Sequence, residues 1–137
     1  MIRQLILSTA LLGTACITHA ELVVIAHPAT ATQSIPVSQL NRLFLGQSTA
    51  LPDGSRAVPL DVSGDTRNQF YRDVLKRQPE QVEKYWARMI FTGKAQPPRE
   101  IRPNDVKSTV AETPGALSYI DSNKVDSSVK VIRVTGN

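Results

Sequence analysis

The chain opens with the pattern of an export signal, which leaves residues 21–137 to form the fold. Arg3 supplies a positive charge, residues 5–15 are apolar and uncharged, and Thr18 and Ala20 place small residues where a signal peptidase cleaves. An apolar run of about eleven residues is too short for a bilayer-spanning helix, which needs roughly twenty. The sequence therefore predicts a signal peptide over residues 1–20 and a mature periplasmic protein without a permanent membrane segment.

Cys16 is the chain's one cysteine, and it leaves an alternative open, a lipoprotein acylated at that residue. Lipoprotein signals usually carry leucine three residues before the cysteine, where this chain has Gly13, so we favour cleavage after Ala20. The mature protein then has no disulfide, and a hydrophobic core has to hold it. Residues 21–137 amount to one domain that is long enough to bury such a core.

Four apolar segments predict strands. The β-branched run at residues 22–26 is typical of a strand buried on both faces, as in a parallel sheet. Residues 57–61 suit a second strand, although Pro59 is awkward in the middle of a sheet. Residues 116–120 and 129–134 have the apolar and β-branched content of two more strands.

Capping residues and apolar spacing predict four helices between these strands. Ser38 is a candidate N-cap for a short helix, and Gly46 suits its C-terminal end. Thr66 and Gln69 have capping-box spacing at the start of a second helix. Pro79 fits the first turn of a third. The predicted helices cover residues 38–45, 66–78, 79–92 and 105–112.

Charge is distributed unevenly along the chain, whose formal net charge is +4. Residues 21–66 carry two basic and four acidic residues, whereas residues 67–107 carry ten and five. Such a basic stretch can attract anions, an acidic partner or a membrane surface. Its charges interleave with the apolar positions of predicted helices, however, which favours a solvated helix face. In the third helix the predicted apolar stripe consists of Val82, Tyr85, Trp86, Met89 and Ile90.

Three segments resemble, in the same order, segments of phosphate-type periplasmic solute-binding proteins. Leu40 to Gly46, read as Leu-Asn-Arg-Leu-Phe-Leu-Gly, is similar to the short helix of that family that ends in Ile-Phe-x-Gly. The run from Ser63 to Phe70 resembles its Ser-Gly-Thr-Arg loop, which enters a helix with Phe. Residues 113–120, Thr-Pro-Gly-Ala-Leu-Ser-Tyr-Ile, are similar to its Pro-Gly-Ala-Ile-Gly-Tyr strand entry. The resemblance implies an α/β fold, namely one small periplasmic-binding-protein-like lobe with a mixed, mainly parallel sheet flanked by helices.

The same resemblance implies binding of inorganic phosphate or a similar oxyanion at the loop before the second helix. A helix N-terminus offers unpaired N–H groups and the positive end of the macrodipole, and Ser63, Gly64, Thr66 and Arg67 add hydroxyls, an open backbone and a charge. Asp65 is an additional residue relative to Ser-Gly-Thr-Arg. Its carboxylate lies where an anion would bind, and as an N-cap it would itself accept the helix N–H groups that an anion needs.

Three residues of the first loop are further ligand-binding candidates. His27, Thr30 and Thr32 follow the first predicted strand, at the carboxyl edge where open α/β sheets bind ligands. His27 is the one histidine within residues 21–137, which also lack cysteine, so neither a His/Cys metal cluster nor a catalytic triad is predicted.

These observations favour a non-enzymatic phosphate or anion-binding protein that acts in uptake or sensing, without a cofactor. The alternative is an interaction protein that keeps the lobe, has lost the pocket, and binds a membrane sensor, channel or envelope protein. Asp65 favours this alternative. A transporter partner and a homodimer that rebuilds a two-lobed cleft both remain open, whereas nucleic-acid binding is not predicted because no recognised motif is present.

Overall fold

The computed structural model describes residues 21–136 and the isolated Gly13; the predicted signal peptide and Cys16 lie outside the described residues. Residues 21–136 form one sheet with helices packed against it, and none of the helices in this part of the chain is long and apolar enough to cross a membrane. The strands are β1 Leu22–Ala26, β2 Ser34–Pro36, β3 Val58–Val62, β4 Arg99–Ile101, β5 Ala116–Asp121 and β6 Lys130–Thr135. The helices are α1 Val37–Phe44, α2 Asp65–Gln69, α3 Pro79–Phe91 and α4 Val106–Glu112.

The six strands lie in the order β2-β6-β1-β5-β3-β4. Three pairings are parallel, those of β2 with β6, β3 with β5 and β3 with β4. The predicted mixed, mainly parallel sheet is thereby confirmed. However, β1 runs antiparallel to both of its neighbours, so its expected parallel setting was wrong. A continuous apolar run reports that both faces of a strand are buried, and it does not report the direction of the neighbouring strands.

The two edge strands were not predicted. Strands β2 and β4 have three residues each, and each contributes one buried side chain, Ile35 and Ile101. Three residues are too few to show a periodic apolar pattern, and β4 begins with the charged pair Arg99 and Glu100. These strands exist because neighbouring strands offer them backbone hydrogen bonds.

Pro59 lies in the interior of the sheet and ends the ladder between β3 and β5. Beyond it, the Ser118 hydroxyl donates to the carbonyl of Leu60 at 2.8 Å, and the Val62 N–H donates to the Tyr119 hydroxyl at 3.0 Å. Because proline has no N–H to give to a ladder, side-chain hydroxyls from β5 take over the pairing. Two polar groups of a strand predicted as apolar thus have a structural role.

The first helix differs from its prediction at its start. It begins at Val37 behind Pro36, so Ser38 is not its N-cap. The chain passes from the extended conformation of Pro36 directly into the helix, and no side chain caps the first turn. Gly46 follows the helix with a φ of +70°, as its predicted role as a stop requires.

The second helix differs more. It begins at Asp65 with Gly64 as its N-cap, no side chain caps it, and the capping box of Thr66 and Gln69 does not form. The chain continues as a wider π-helical turn over Phe70–Val74, so the helix ends short of Gln78.

The third helix matches its prediction except at its C-terminal end. Its buried residues include Val82 and Trp86, which makes Trp86 part of the core, as predicted. Ile90, predicted on the same apolar stripe, is half exposed. The neighbouring Phe91 is 92% exposed.

The core holds a cluster of four fully buried aromatic rings. Phe70 and Tyr119 stack with 3.8 Å between ring centroids and 7° between planes. Phe44 lies 5.0 Å from Phe70 in a tilted arrangement, and Tyr71 meets both phenylalanines edge-on. Each of the four side chains is less than 2% exposed. The cluster joins α1, the helix after β3 and strand β5 into one body.

Candidate functional site

The Ser63 loop joins β3 to α2 at the carboxyl edge of the three parallel strands, where it was predicted. The Ser63 N–H donates to the carbonyl of Ile101 at 3.0 Å, which ties the loop to β4. Gly64 follows with φ +88° and ψ −158°, a conformation that strains other residues, and the helix starts directly after it.

Asp65 does not fill the helix N-terminus as the sequence suggested. It is the first helical residue, it is exposed, and its carboxylate makes no capping hydrogen bond. The Arg67 N–H instead donates to the carbonyl of Gly64 at 3.1 Å. The negative charge of Asp65 therefore stands beside the loop and not inside it.

Arg67 is turned towards the protein interior, where a carboxylate holds it. Its Nε lies 3.4 Å from Oδ2 of Asp61 and 3.8 Å from Oε1 of Glu100, and its guanidinium carbon is 4.9 Å from the centre of the Tyr71 ring. The side chain is 15% exposed. Its terminal nitrogens make no hydrogen bond within residues 21–136, so donors remain for another group.

Asp61 lies at the centre of a buried polar network on β3. Its two carboxylate oxygens accept hydrogen bonds from the Tyr119 hydroxyl at 2.9 Å and the Tyr71 hydroxyl at 3.0 Å, in addition to the contact with Arg67. The Asp61 side chain is 1% exposed. A carboxylate buried this deeply requires several hydrogen-bond donors, because burial of an unpaired charge costs on the order of several kcal/mol.

Burial raises the pKa of Asp61, and its three donors, led by Tyr119, oppose that rise without cancelling it. Burial also raises the pKa of the Tyr71 and Tyr119 hydroxyls, and the nearby Asp61 charge raises both further. Both phenols therefore stay protonated and serve as donors at any physiological pH.

The raised pKa of Asp61 predicts how stability changes with pH. Its folded-state pKa lies above the unfolded value, so Asp61 contributes most to stability below about pH 4 and that contribution is lost as pH rises through the folded pKa. We expect the stability of an Asp61→Asn variant, relative to the unaltered protein, to increase between pH 4 and pH 7. Urea unfolding of both proteins across this range measures the difference; a constant difference would contradict the prediction.

The structure separates the other predicted ligand-binding residues from the Ser63 loop. His27 follows β1, which is antiparallel to β5, and β5 is parallel to β3. The register places Ala26 and Pro59 opposite the same residue, Leu117, so β1 ends where β3 begins. The carboxyl end of β1 thus lies at the opposite edge of the sheet, and the expectation of one shared edge was wrong.

His27 and Thr30 line an open cleft with Asp53, Ser55 and Arg56 at that opposite edge. The His27 Nδ1 accepts the N–H of Ala29 at 3.1 Å, and the Thr30 carbonyl accepts a hydrogen bond from Lys130. Thr32 is buried, and its hydroxyl accepts the N–H of Asp53 at 3.4 Å, so it holds the neighbouring turn. The first loop and the Ser63 loop therefore lie too far apart to bind one small ligand together.

The partners of Arg67 were not predicted from the sequence. Asp61 lies at the end of a predicted strand, Tyr71 in the second predicted helix and Tyr119 in a segment that carries the family resemblance, and none of the three was a site candidate. The available signal was chemical: a buried tyrosine needs a partner for its hydroxyl, and a carboxylate in a buried strand needs donors. Among residues 21–136, no group of three or more His, Cys, Asp or Glu side chains could hold a metal ion.

No family model matches the chain, and no curated relative matches it. Solved structures do. A phosphate ABC transporter substrate-binding protein of Clostridium perfringens, solved with bound phosphate, matches with a TM-score of 0.64 and 19% identity over 84% of this chain. An ABC-type phosphate transport receptor of Vibrio cholerae matches with a TM-score of 0.63, 17% identity and 82% coverage. PstS of Borrelia burgdorferi matches with a TM-score of 0.63 and 12% identity over 85% of this chain.

This chain has the fold of a phosphate-type substrate-binding protein lobe. It spans 45–47% of the length of these three structures, and at such low identity the likeness establishes the fold alone. The resemblance seen in three short sequence segments is thereby confirmed at the level of architecture. The first two of these neighbours are described as a substrate-binding protein and a transport receptor.

Proposed function

We propose that residues 21–137 form an extracytoplasmic anion-recognition module of the phosphate-receptor type, which acts in phosphate uptake or sensing without catalysis. One observation carries the proposal: Arg67 is fixed through its Nε at the first turn of the helix behind Gly64, while its terminal nitrogens make no hydrogen bond within the described part of the chain. A guanidinium held in this way can offer two donors to an oxyanion.

The remaining donors for the anion come from the same loop. Ser63 and Thr66 supply hydroxyls, and the first N–H groups of the helix point towards the loop. Asp65 opposes binding by charge, and Asp61 already neutralises part of Arg67. With solvent on the other side of the loop we expect weak binding by this chain alone, with a dissociation constant on the order of millimolar, equivalent to about 4 kcal/mol.

Calorimetric titration of the protein spanning residues 21–137 with phosphate and with sulfate at low salt tests the proposal. We expect an Asp65→Thr variant to bind sulfate about five- to tenfold more tightly, because about 1 kcal/mol of surface repulsion is removed. A Thr66→Val variant should bind more weakly, and Arg72→Gln, which changes an exposed arginine one helical segment away, should bind as the unaltered protein does.

The two anions give different information. Sulfate lacks a proton at neutral pH, whereas phosphate carries one that a carboxylate can accept. If Asp65→Thr binds sulfate more tightly and phosphate more weakly, Asp65 is an acceptor for the phosphate proton. If neither anion binds to the protein or to the Asp65→Thr variant, the anion-binding proposal fails.

That failure would leave the second candidate, an interaction protein that binds a membrane sensor, transporter, channel or envelope protein. The observation in its favour is that Asp61 already forms an ion pair with Arg67 from inside the fold. A bound anion would form the same kind of pair from outside. A second copy of the chain could also face the loop and complete a cleft. Sedimentation equilibrium with and without phosphate separates these cases, since a ligand-linked homodimer strengthens when phosphate is added.

A further inference from the structure

The C-terminal end of α3 exposes an apolar side chain that the fold does not use. Phe91 is the last residue of the helix and is 92% exposed, and the preceding Ile90 is 50% exposed. Elsewhere in residues 21–136 the one other large apolar side chain of this kind is Val131, at 44%. An aromatic ring that is almost completely exposed contributes nothing to the core, so it is free to contact an apolar partner.

Three cations flank this side chain along the sequence. Lys84, Arg88 and Phe91 are spaced i, i+4 and i+7, so they lie on one face of α3, and Lys94 follows the helix end. We call Lys84, Arg88, Ile90, Phe91 and Lys94 the Phe91 surface. All five are exposed, and none of its three cations forms an ion pair within residues 21–136.

The charge of the C-terminal half of α3 and the segment after it is positive, because no acidic residue occurs between Lys84 and Arg99 in the sequence. The exposed acids Glu80 and Glu83 lie nearer the start of the helix, away from Phe91 at its end. Cations in the last turn of a helix also stabilise its C-terminus, which accounts for Arg88 without any partner. That effect does not account for Phe91, which neither caps the helix nor packs on it.

The surface is held in place by the fold behind it. On the opposite side of α3, Val82 and Trp86 are buried in the core. At the helix end, the Thr92 hydroxyl donates to the carbonyl of Arg88 at 2.9 Å, and the Lys94 N–H donates to the carbonyl of Met89 at 3.1 Å. The backbone that carries the ring and the cations is therefore ordered before binding.

We propose that the Phe91 surface binds an anionic phospholipid membrane, with Phe91 inserted at the headgroup boundary and Lys84, Arg88 and Lys94 against the phosphates. A ring that projects from a helix end with cations around it matches a deformable apolar layer beneath a negative surface. An acidic protein would instead have to offer a pocket for a ring that is almost completely exposed. The proposal shares no residue with the Ser63 loop and does not depend on anion binding there.

Co-sedimentation with vesicles tests this proposal on the protein spanning residues 21–137, which contains the whole sheet and core and lacks the apolar run at residues 5–15. The probes are vesicles of phosphatidylglycerol mixed with phosphatidylcholine and vesicles of phosphatidylcholine alone. We expect binding to the anionic vesicles that falls as salt is raised, and little binding to the neutral ones.

Two variants and two controls locate the surface. Phe91→Ser should weaken binding about tenfold through the lost apolar contact. Arg88→Glu should weaken it by about twentyfold or more, since each cation near an anionic surface is worth about fivefold and the reversal removes one and adds a repulsion. Val131→Ser and Arg72→Glu, the same kinds of change at exposed positions elsewhere, should bind as the unaltered protein does. Circular dichroism checks that all four are folded.

Three results would overturn the proposal. The first is no binding of the unaltered protein to anionic vesicles. The second is equal loss in the variants and in the controls, which would mean that only net charge matters. The third is a concentration-dependent dimer of the unaltered protein that Phe91→Ser abolishes without any effect on vesicle binding, which would assign the surface to a second copy of the chain.

Discussion

Replacing Phe70 by alanine is expected to destabilise the protein by about 3–5 kcal/mol. Phe70 is fully buried, its ring stacks on Tyr119 at 3.8 Å between centroids, and Phe44 packs beside this pair. Alanine would leave a cavity lined by rings, which cannot collapse without moving α1 or β5. Chemical unfolding monitored by circular dichroism measures the loss.

Phe91→Ala is the matched control for this prediction, because the same atoms are removed from a ring that is 92% exposed. We expect it to change the free energy of unfolding by less than about 0.5 kcal/mol. Equal losses in the two variants would mean that the aromatic cluster is not packed as described. A large loss in Phe91→Ala would mean that the ring is covered in the folded protein.

Asp61→Ala is expected to cost about 3–5 kcal/mol, because it leaves a network of donors without an acceptor. The hydroxyls of Tyr71 and Tyr119 and the guanidinium of Arg67 all point at the Asp61 carboxylate. The two phenols are buried and cannot turn to water. Thermal and urea unfolding at neutral pH measure the loss.

Asp65→Ala is the control, since it removes a carboxylate four residues away that is exposed and caps nothing. It should change stability by less than about 0.5 kcal/mol. Asp61→Asn should cost less than Asp61→Ala, because the amide still offers an acceptor to Tyr119. If all three variants are equally stable, the buried network does not form.

Both predictions concern the region of the proposed anion site. The aromatic cluster holds Tyr119 in place, Tyr119 and Tyr71 hold Asp61, and Asp61 fixes Arg67 beside the Ser63 loop. Arg67 is thus supported from the core, so its guanidinium would lose little freedom on binding an anion at the proposed site. The same support explains why Arg67 itself is a poor test residue: its removal leaves Asp61 buried and without its cation.

The fold class and most elements followed from the sequence. Strands β1, β3, β5 and β6 and the helix after Pro79 were predicted within one or two residues, because long apolar runs and proline positions act locally. The loop at Ser63 was also predicted, because turn residues between a strand and an apolar pattern of helical spacing indicate a strand-to-helix junction.

The ends of α1 and α2 were predicted less well. Ser38 and Thr66 are good N-caps in isolation, yet the helices begin earlier, at Val37 and Asp65. Capping side chains compete with packing, and burial of Leu40 and Phe70 against the sheet decides where each helix starts. The π-helical turn at Phe70–Val74 has no local signature in the sequence.

The sequence by itself determined that its apolar strands and helices would form an α/β lobe, and that a Ser-Gly loop would join a strand to a helix. Only the tertiary structure decided which residues meet at that loop. Strand direction is set by pairing between residues about a hundred positions apart, and the antiparallel pairing of β1 with β5 carries His27 away from Ser63. The partnership of Asp61, Arg67 and Tyr119 likewise depends on a strand pairing that brings β5 beside β3, because no local pattern encodes which buried donor a buried carboxylate will find.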